Sequence, residues 1–161
     1  MTALYPYPGP SRRAVLRGAA AVPLVVAAGV SVTACGPTLD EQRDTAEMLV
    51  QHAQAAVREQ KAAQSLGPRV TEYTAALGVV AAQRGEHAQA LRDEVNRLHS
   101  SSAARIDDAA PAITTIDALR AALTASTKSA ATSAVAAEGF VAGLLASTSA
   151  ACRTLTEVQL A

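Results

Sequence analysis

An all-α, antiparallel four-helix bundle behind a cleavable N-terminal signal peptide is the architecture that this sequence predicts. Three observations predict it. Apolar residues recur at spacings of three and four through the segments after residue 38, and no segment alternates with period two. Half of the 161 residues are hydrophobic while aromatics make up only 2% and Trp is absent, so alanine supplies the apolar bulk and helices can approach closely. The first charges in the chain are Arg12, Arg13 and Arg17, and nothing acidic precedes Asp40. The apolar fraction speaks against a disordered chain, and two cysteines can make at most one bridge, which speaks against a disulfide scaffold.

Residues 1–34 read as an export signal and 35–161 as the mature domain. Behind the arginines lies an uncharged run of 15 residues, Gly18 to Val32, broken by Pro23. A spanning helix needs about 20 apolar residues, so this run fits the core of a signal peptide better than an anchor. Arg12-Arg13, with Val15-Leu16 two residues on, resembles the twin-arginine export motif. Val32-Thr33-Ala34-Cys35 resembles a bacterial lipobox, in which a diacylglyceryl group is transferred to the cysteine thiol and the chain is cut just before it. Two or three acyl chains hold a protein stably on a bilayer where one does so marginally. The expected location is therefore the outer face of the cytoplasmic membrane or another envelope surface, reached through lipidated Cys35. Only Gly36 and Pro37 separate that cysteine from the first helical signal, so the tether is short.

Removal of the three leader arginines leaves 11 Lys+Arg against 14 Asp+Glu, a net charge of −3 for residues 35–161. A mildly acidic domain is a poor partner for nucleic acid or for an anionic lipid surface, both of which call for a basic face. With Cys35 alkylated, Cys152 has no partner for a disulfide and is expected to pack as a small hydrophobe.

Four helices are expected at about 38–65, 68–99, 114–137 and 139–160. Thr38-Leu39-Asp40-Glu41 is a capping-box pattern and opens the first. Its stripe is Ala46, Leu49, Val50, Ala53, Ala56, Val57 and Ala63, with Arg43 and Glu47 paired on the other side and Glu59 off the stripe. Leu66-Gly67-Pro68 stops it, and Pro68 suits the first turn of the second helix. There Val70, Tyr73, Leu77, Val80, Arg84, His87, Leu91, Val95 and Leu98 give the clearest periodicity in the chain. Ser100 to Pro111 is the linker, long enough when extended to cross the bundle at about 3.3 Å per residue or to turn back. The third helix carries Ile116, Leu119 and Leu123 and then a small-residue face of Ser126, Ala130, Ser133 and Ala137. Glu138-Gly139 divides it from a fourth bearing Val141, Leu144, Leu145, Thr148, Cys152, Leu155 and Val158, with one long kinked helix as the alternative.

Arg84-Gly85-Glu86-His87-Ala88 through Leu91, and Glu138-Gly139-Phe140-Val141 through Ala150-Ala151-Cys152, resemble actinobacterial ferritin-like proteins of the domain of unknown function 4439 type. The resemblance covers nearly the whole mature chain and implies a ferritin-like bundle. For the wider superfamily it implies a di-iron centre built from a Glu on each of two helices and a Glu-x-x-His on each of the other two. This chain departs from that set, because three residues before His87 stands Arg84 and the motif reads Arg-x-x-His. His87, Glu86 and Glu138 are the only metal candidates, too few for a cation site, so no di-iron or other cofactor is expected. Arg84, His87 and Glu138 are instead expected to form a polar layer or groove, with Glu138 as the first candidate to pair with a buried Arg84. His52 and His99 read as surface residues.

No Ser/His/Asp arrangement, phosphate-binding glycine loop, CxxC or HExxH occurs, and Tyr73 and Phe140 are the only aromatics after Cys35. The leading expectation is a non-catalytic, lipid-anchored bundle that binds or scaffolds an envelope protein, with a homodimer left open. A degenerate ferritin-like metal or redox protein is the alternative, and a small-ligand carrier using the interior of the third and fourth helices the third reading.

Overall fold

A computed structural model describes residues 36–107 and 113–161, so the export motif at Arg12 and Arg13 and the lipidation site Cys35 lie outside the described residues. Four helices are present, with no strand among the described residues. Helix α1 spans Leu39–Leu66, α2 Thr74–His99, α3 Ile116–Ala136 and α4 Gly139–Thr154.

The capping box at the start of α1 forms in both directions. Thr38 Oγ1 accepts the Glu41 amide at 3.2 Å, and Glu41 Oε2 accepts the Thr38 amide at 2.7 Å. At the other end Pro68 lies in a turn rather than in the first turn of α2, which begins six residues later than its expected start. The Leu66 carbonyl accepts from both Arg69 and Val70, and Val70 at φ −123° leaves the helical region, so a short 3-10 turn at Thr71–Tyr73 intervenes. The expected Arg43–Glu47 pair is replaced by two others, since Arg43 lies 3.5 Å from Asp40 and Glu47 lies 3.4 Å from Arg105.

The linker is not extended throughout. Ser100–Asp107 winds as a 3-10 helix that buries Ala103 and Ile106 against α1 and α2, and Gln54 Nε2 holds the Arg105 carbonyl at 2.6 Å. Thr115 then caps α3 by accepting the Ala118 amide at 3.1 Å. Between α3 and α4, Ala137 and Glu138 adopt extended backbone and Gly139 takes φ +54°, a left-handed conformation that glycine adopts without strain. The chain closes in a π-helical turn at Leu155–Gln159 that buries Leu160. Arg120 donates to the Leu160 carbonyl, to Tyr73 Oη at 3.0 Å and to Asp117 at 2.9 Å, tying the C-terminus to the start of α3.

The packing fixes the topology. One apolar cluster joins Leu49, Val50 and Ala53 of α1 to Leu91 and Val95 of α2 and to Val141 and Leu145 of α4, together with Ile106. A second joins Ala63 and Leu66 to Leu77 and Val80, to Leu119 and Leu123 of α3 and to Cys152, Leu155 and Leu160. Hence α1 and α4 run from the first cluster to the second while α2 and α3 run back. Ile106 accordingly lies in the first cluster and Ile113 against the second, so α2 ends and α3 begins at opposite ends of the bundle. Main helix neighbours are α1 with α2 and α3, and α4 with the same two.

Candidate functional site

Between the two apolar clusters the bundle carries a polar layer to which every helix contributes. Glu59 of α1 and Arg84 of α2 each keep about 1% of the side chain exposed, and Arg84 Nε stands 2.7 Å from Glu59 Oε2. The approach is off the N–H axis, so the contact is an ion pair rather than a straight hydrogen bond. The other carboxylate oxygen, Oε1, accepts Ser126 Oγ of α3 at 2.6 Å. Arg84 Nη1 faces two further groups, His87 Nδ1 at 3.0 Å and Cys152 Sγ of α4 at 3.1 Å. About two helical turns toward the first cluster, buried His52 meets Ser133 Oγ at 3.0 Å across α1 and α3.

The protonation states follow from these contacts. A guanidinium only donates, so His87 Nδ1 accepts and the imidazole is neutral with its proton on Nε2. Burial and, after it, the Arg84 charge lower its pKa from 6.5 to about 4. His52 is lowered for the same two reasons in the same order. Burial pushes the Cys152 thiol up to about 11, with Arg84 opposing, so the sulfur is a neutral thiol and a poor nucleophile. A buried carboxylate and guanidinium are each costly to remove from water, and here each neutralises the other.

The expected site residues separate. Arg84 and His87 do meet, Arg84 buried and His87 half-buried beside it. Glu138 does not reach them, since it is exposed as the N-cap residue of α4 in the α3–α4 turn, and Glu86 is exposed on α2. The partner of Arg84 is Glu59, which the stripe of α1 left out. Its signal was the seven-residue gap between Ala56 and Ala63, because a 3,4 repeat requires an inward position at 59 or 60. His52 is likewise buried rather than a surface residue, whereas His99 is half-buried beside Ser102 at 2.8 Å.

A di-metal centre does not fit these residues. Among the described residues no three His, Cys, Asp or Glu side chains converge where an ion could be held, and the one carboxylate in the layer faces a guanidinium. A groove of about 290 Å³ at the α1–α2 turn, lined by Ala63, Gln64, Pro68, Thr74, Leu77 and Gly78 among others, carries no titratable group. No described helix is long and apolar enough to cross a membrane. Compared with known proteins, the chain matches no family model, no curated protein and no solved structure.

Proposed function

We propose that this chain is a non-catalytic lipoprotein of the cell envelope, exported through its twin-arginine signal and held by lipidated Cys35, whose helical bundle binds or scaffolds an envelope protein. The observation that carries the non-catalytic reading is the Glu59–Arg84 ion pair at the centre of the bundle. It fills the place between the helices where a cofactor would be held and leaves its carboxylate compensated, its histidine neutral and its thiol protonated. The anchoring reading is supported by the order of signals from Arg12 to Cys35 and by the Gly36-Pro37 break before α1.

The test is fractionation of the full chain in a bacterial host with twin-arginine export, beside Cys35→Ala. The wild-type protein is expected in the membrane fraction, with an N-terminal peptide beginning at Cys35 and heavier by the acyl groups. The variant is expected in the soluble fraction. An unchanged distribution, or an unmodified Cys35, refutes the anchor.

The second reading, a degenerate ferritin-like metal or redox protein, is favoured by one specific observation. A single long crossover between the second and third helices is the connectivity of ferritin-like bundles. It supports descent from that fold while Arg84 speaks against the metal chemistry. On this reading the guanidinium is a permanent internal cation in place of an ion taken up from solution.

A further inference from the structure

Phe140 is one of two aromatic residues after Cys35, and it is 69% exposed. The other, Tyr73, lies against the Arg120 guanidinium at 5.4 Å. Val135 and Leu39 are 90% and 83% exposed, so with Phe140 three large apolar side chains stand in water. All three lie at one end of the bundle. Leu39 opens α1, while Val135 and Phe140 flank the α3–α4 turn, and both sides adjoin the cluster of Ala46, Val50, Val141 and Leu145. This is also the end from which the chain leaves toward Cys35. Thr38, Pro37 and Gly36 separate Leu39 from that cysteine, a reach of at most about 14 Å.

We infer that this end is a membrane-docking face, in which Leu39, Val135 and Phe140 enter the headgroup–acyl boundary of the bilayer that holds Cys35. The inference rests on the lipoprotein reading above. Ser133 is level with His52, so the tip of α1 stands on the order of 10 Å beyond the α3–α4 turn at about 1.5 Å per residue. Both reach the interface, about 5–10 Å deep, when the bundle leans toward the α3–α4 side. The contact is apolar rather than electrostatic. At this end Asp40 lies beside Arg43, Glu47 beside Arg105 and Glu94 beside Arg97, and Glu138 adds a carboxylate, so these charges form no basic patch among the described residues. Docking therefore needs no anionic lipid, and zwitterionic vesicles should suffice. The acyl chains supply the affinity, and the three side chains set the orientation.

The absence of Trp allows a direct test. Phe140→Trp and Val135→Trp place a single reporter on the proposed face, and Val158→Trp places one on an exposed site beside the other cluster. Each full-length lipidated variant is reconstituted into phosphatidylcholine vesicles with plain or brominated acyl chains. Bromine is expected to quench Trp at 140 and 135 several-fold more than Trp at 158, with a blue shift at the first two only. Vesicle-bound protein with none of the three quenched, or with all three quenched alike, overturns the docking face and leaves the anchor standing. Protein that carries no acyl group on Cys35 and stays off the vesicles overturns the anchor, and the docking face with it.

Discussion

Arg84 Nε lies 2.7 Å from Glu59 Oε2, with both side chains almost wholly buried between two apolar clusters. The pair joins α1 to α2 and, through Ser126 and Cys152, reaches α3 and α4, so it sets the register of the whole bundle. An ion pair in such a place adds little over apolar side chains of the same volume, yet neither ion tolerates loss of the other.

Single substitutions there should be severe and the double substitution mild. Glu59→Leu or Arg84→Met alone should cost about 3–5 kcal/mol in urea unfolding, because each strands a buried charge. The double variant should lose much less than the sum, giving a large favourable coupling in the mutant cycle. Additive losses would show that the two side chains do not depend on one another.

Stability should fall on mild acidification. His87 has a folded pKa of about 4 against 6.5 when free, and His52 is shifted the same way. Between these values the unfolded chain binds protons that the folded chain refuses, so stability is full above about 6.5 and is lost as pH falls toward 4. The urea midpoint measured from pH 7 to 5 should drop, and His87→Gln should flatten the slope. A midpoint that rises on acidification would contradict the neutral, arginine-facing imidazole.

Cys152 should be silent to thiol reagents until the bundle opens. It is buried, and burial raises its pKa to about 11. In the Cys35→Ala chain, a disulfide-exchange reagent should titrate no thiol in native buffer and one in denaturant. Rapid native labelling would place Cys152 at the surface.

Glycine substitutions should split by backbone conformation. A methyl group at Gly78 or Gly143 meets no atom within 4 Å, and both sit within helices, so Gly78→Ala and Gly143→Ala should each stabilise by about 0.5–1 kcal/mol. Gly139 has equally open space but φ +54°, so Gly139→Ala should destabilise by about 1 kcal/mol or more. Thermal unfolding of the three variants compares them directly.

What the sequence made legible was local. Thr38 with Glu41, Leu66-Gly67 and Glu138-Gly139 mark helix ends through contacts within a few residues, and they lie where the helices begin and end. Arg84 and His87 could be placed inward by their spacing from Leu77, Val80 and Leu91. Their partners could not be found that way. Pairing Arg84 with Glu59 requires the register between two helices, and period alone fixes which face turns inward but not what stands opposite. Glu138, the first candidate for that pairing, stands exposed at the N-cap position of α4. The winding of Ser100–Asp107 within the linker was not legible either, because Ala103 and Ile106, which are buried there, are too few to show a stripe.

Metal content decides most directly whether the centre of the bundle is closed by its own ion pair. The full-length protein, purified from the membrane fraction without chelator, would be analysed by elemental mass spectrometry beside His87→Ala. Iron, manganese and zinc far below one equivalent in both samples, with helical circular dichroism intact, are expected if Arg84 is the cation of the layer. Near-stoichiometric metal in the wild type that disappears in His87→Ala would contradict it and restore the ferritin-like metal reading.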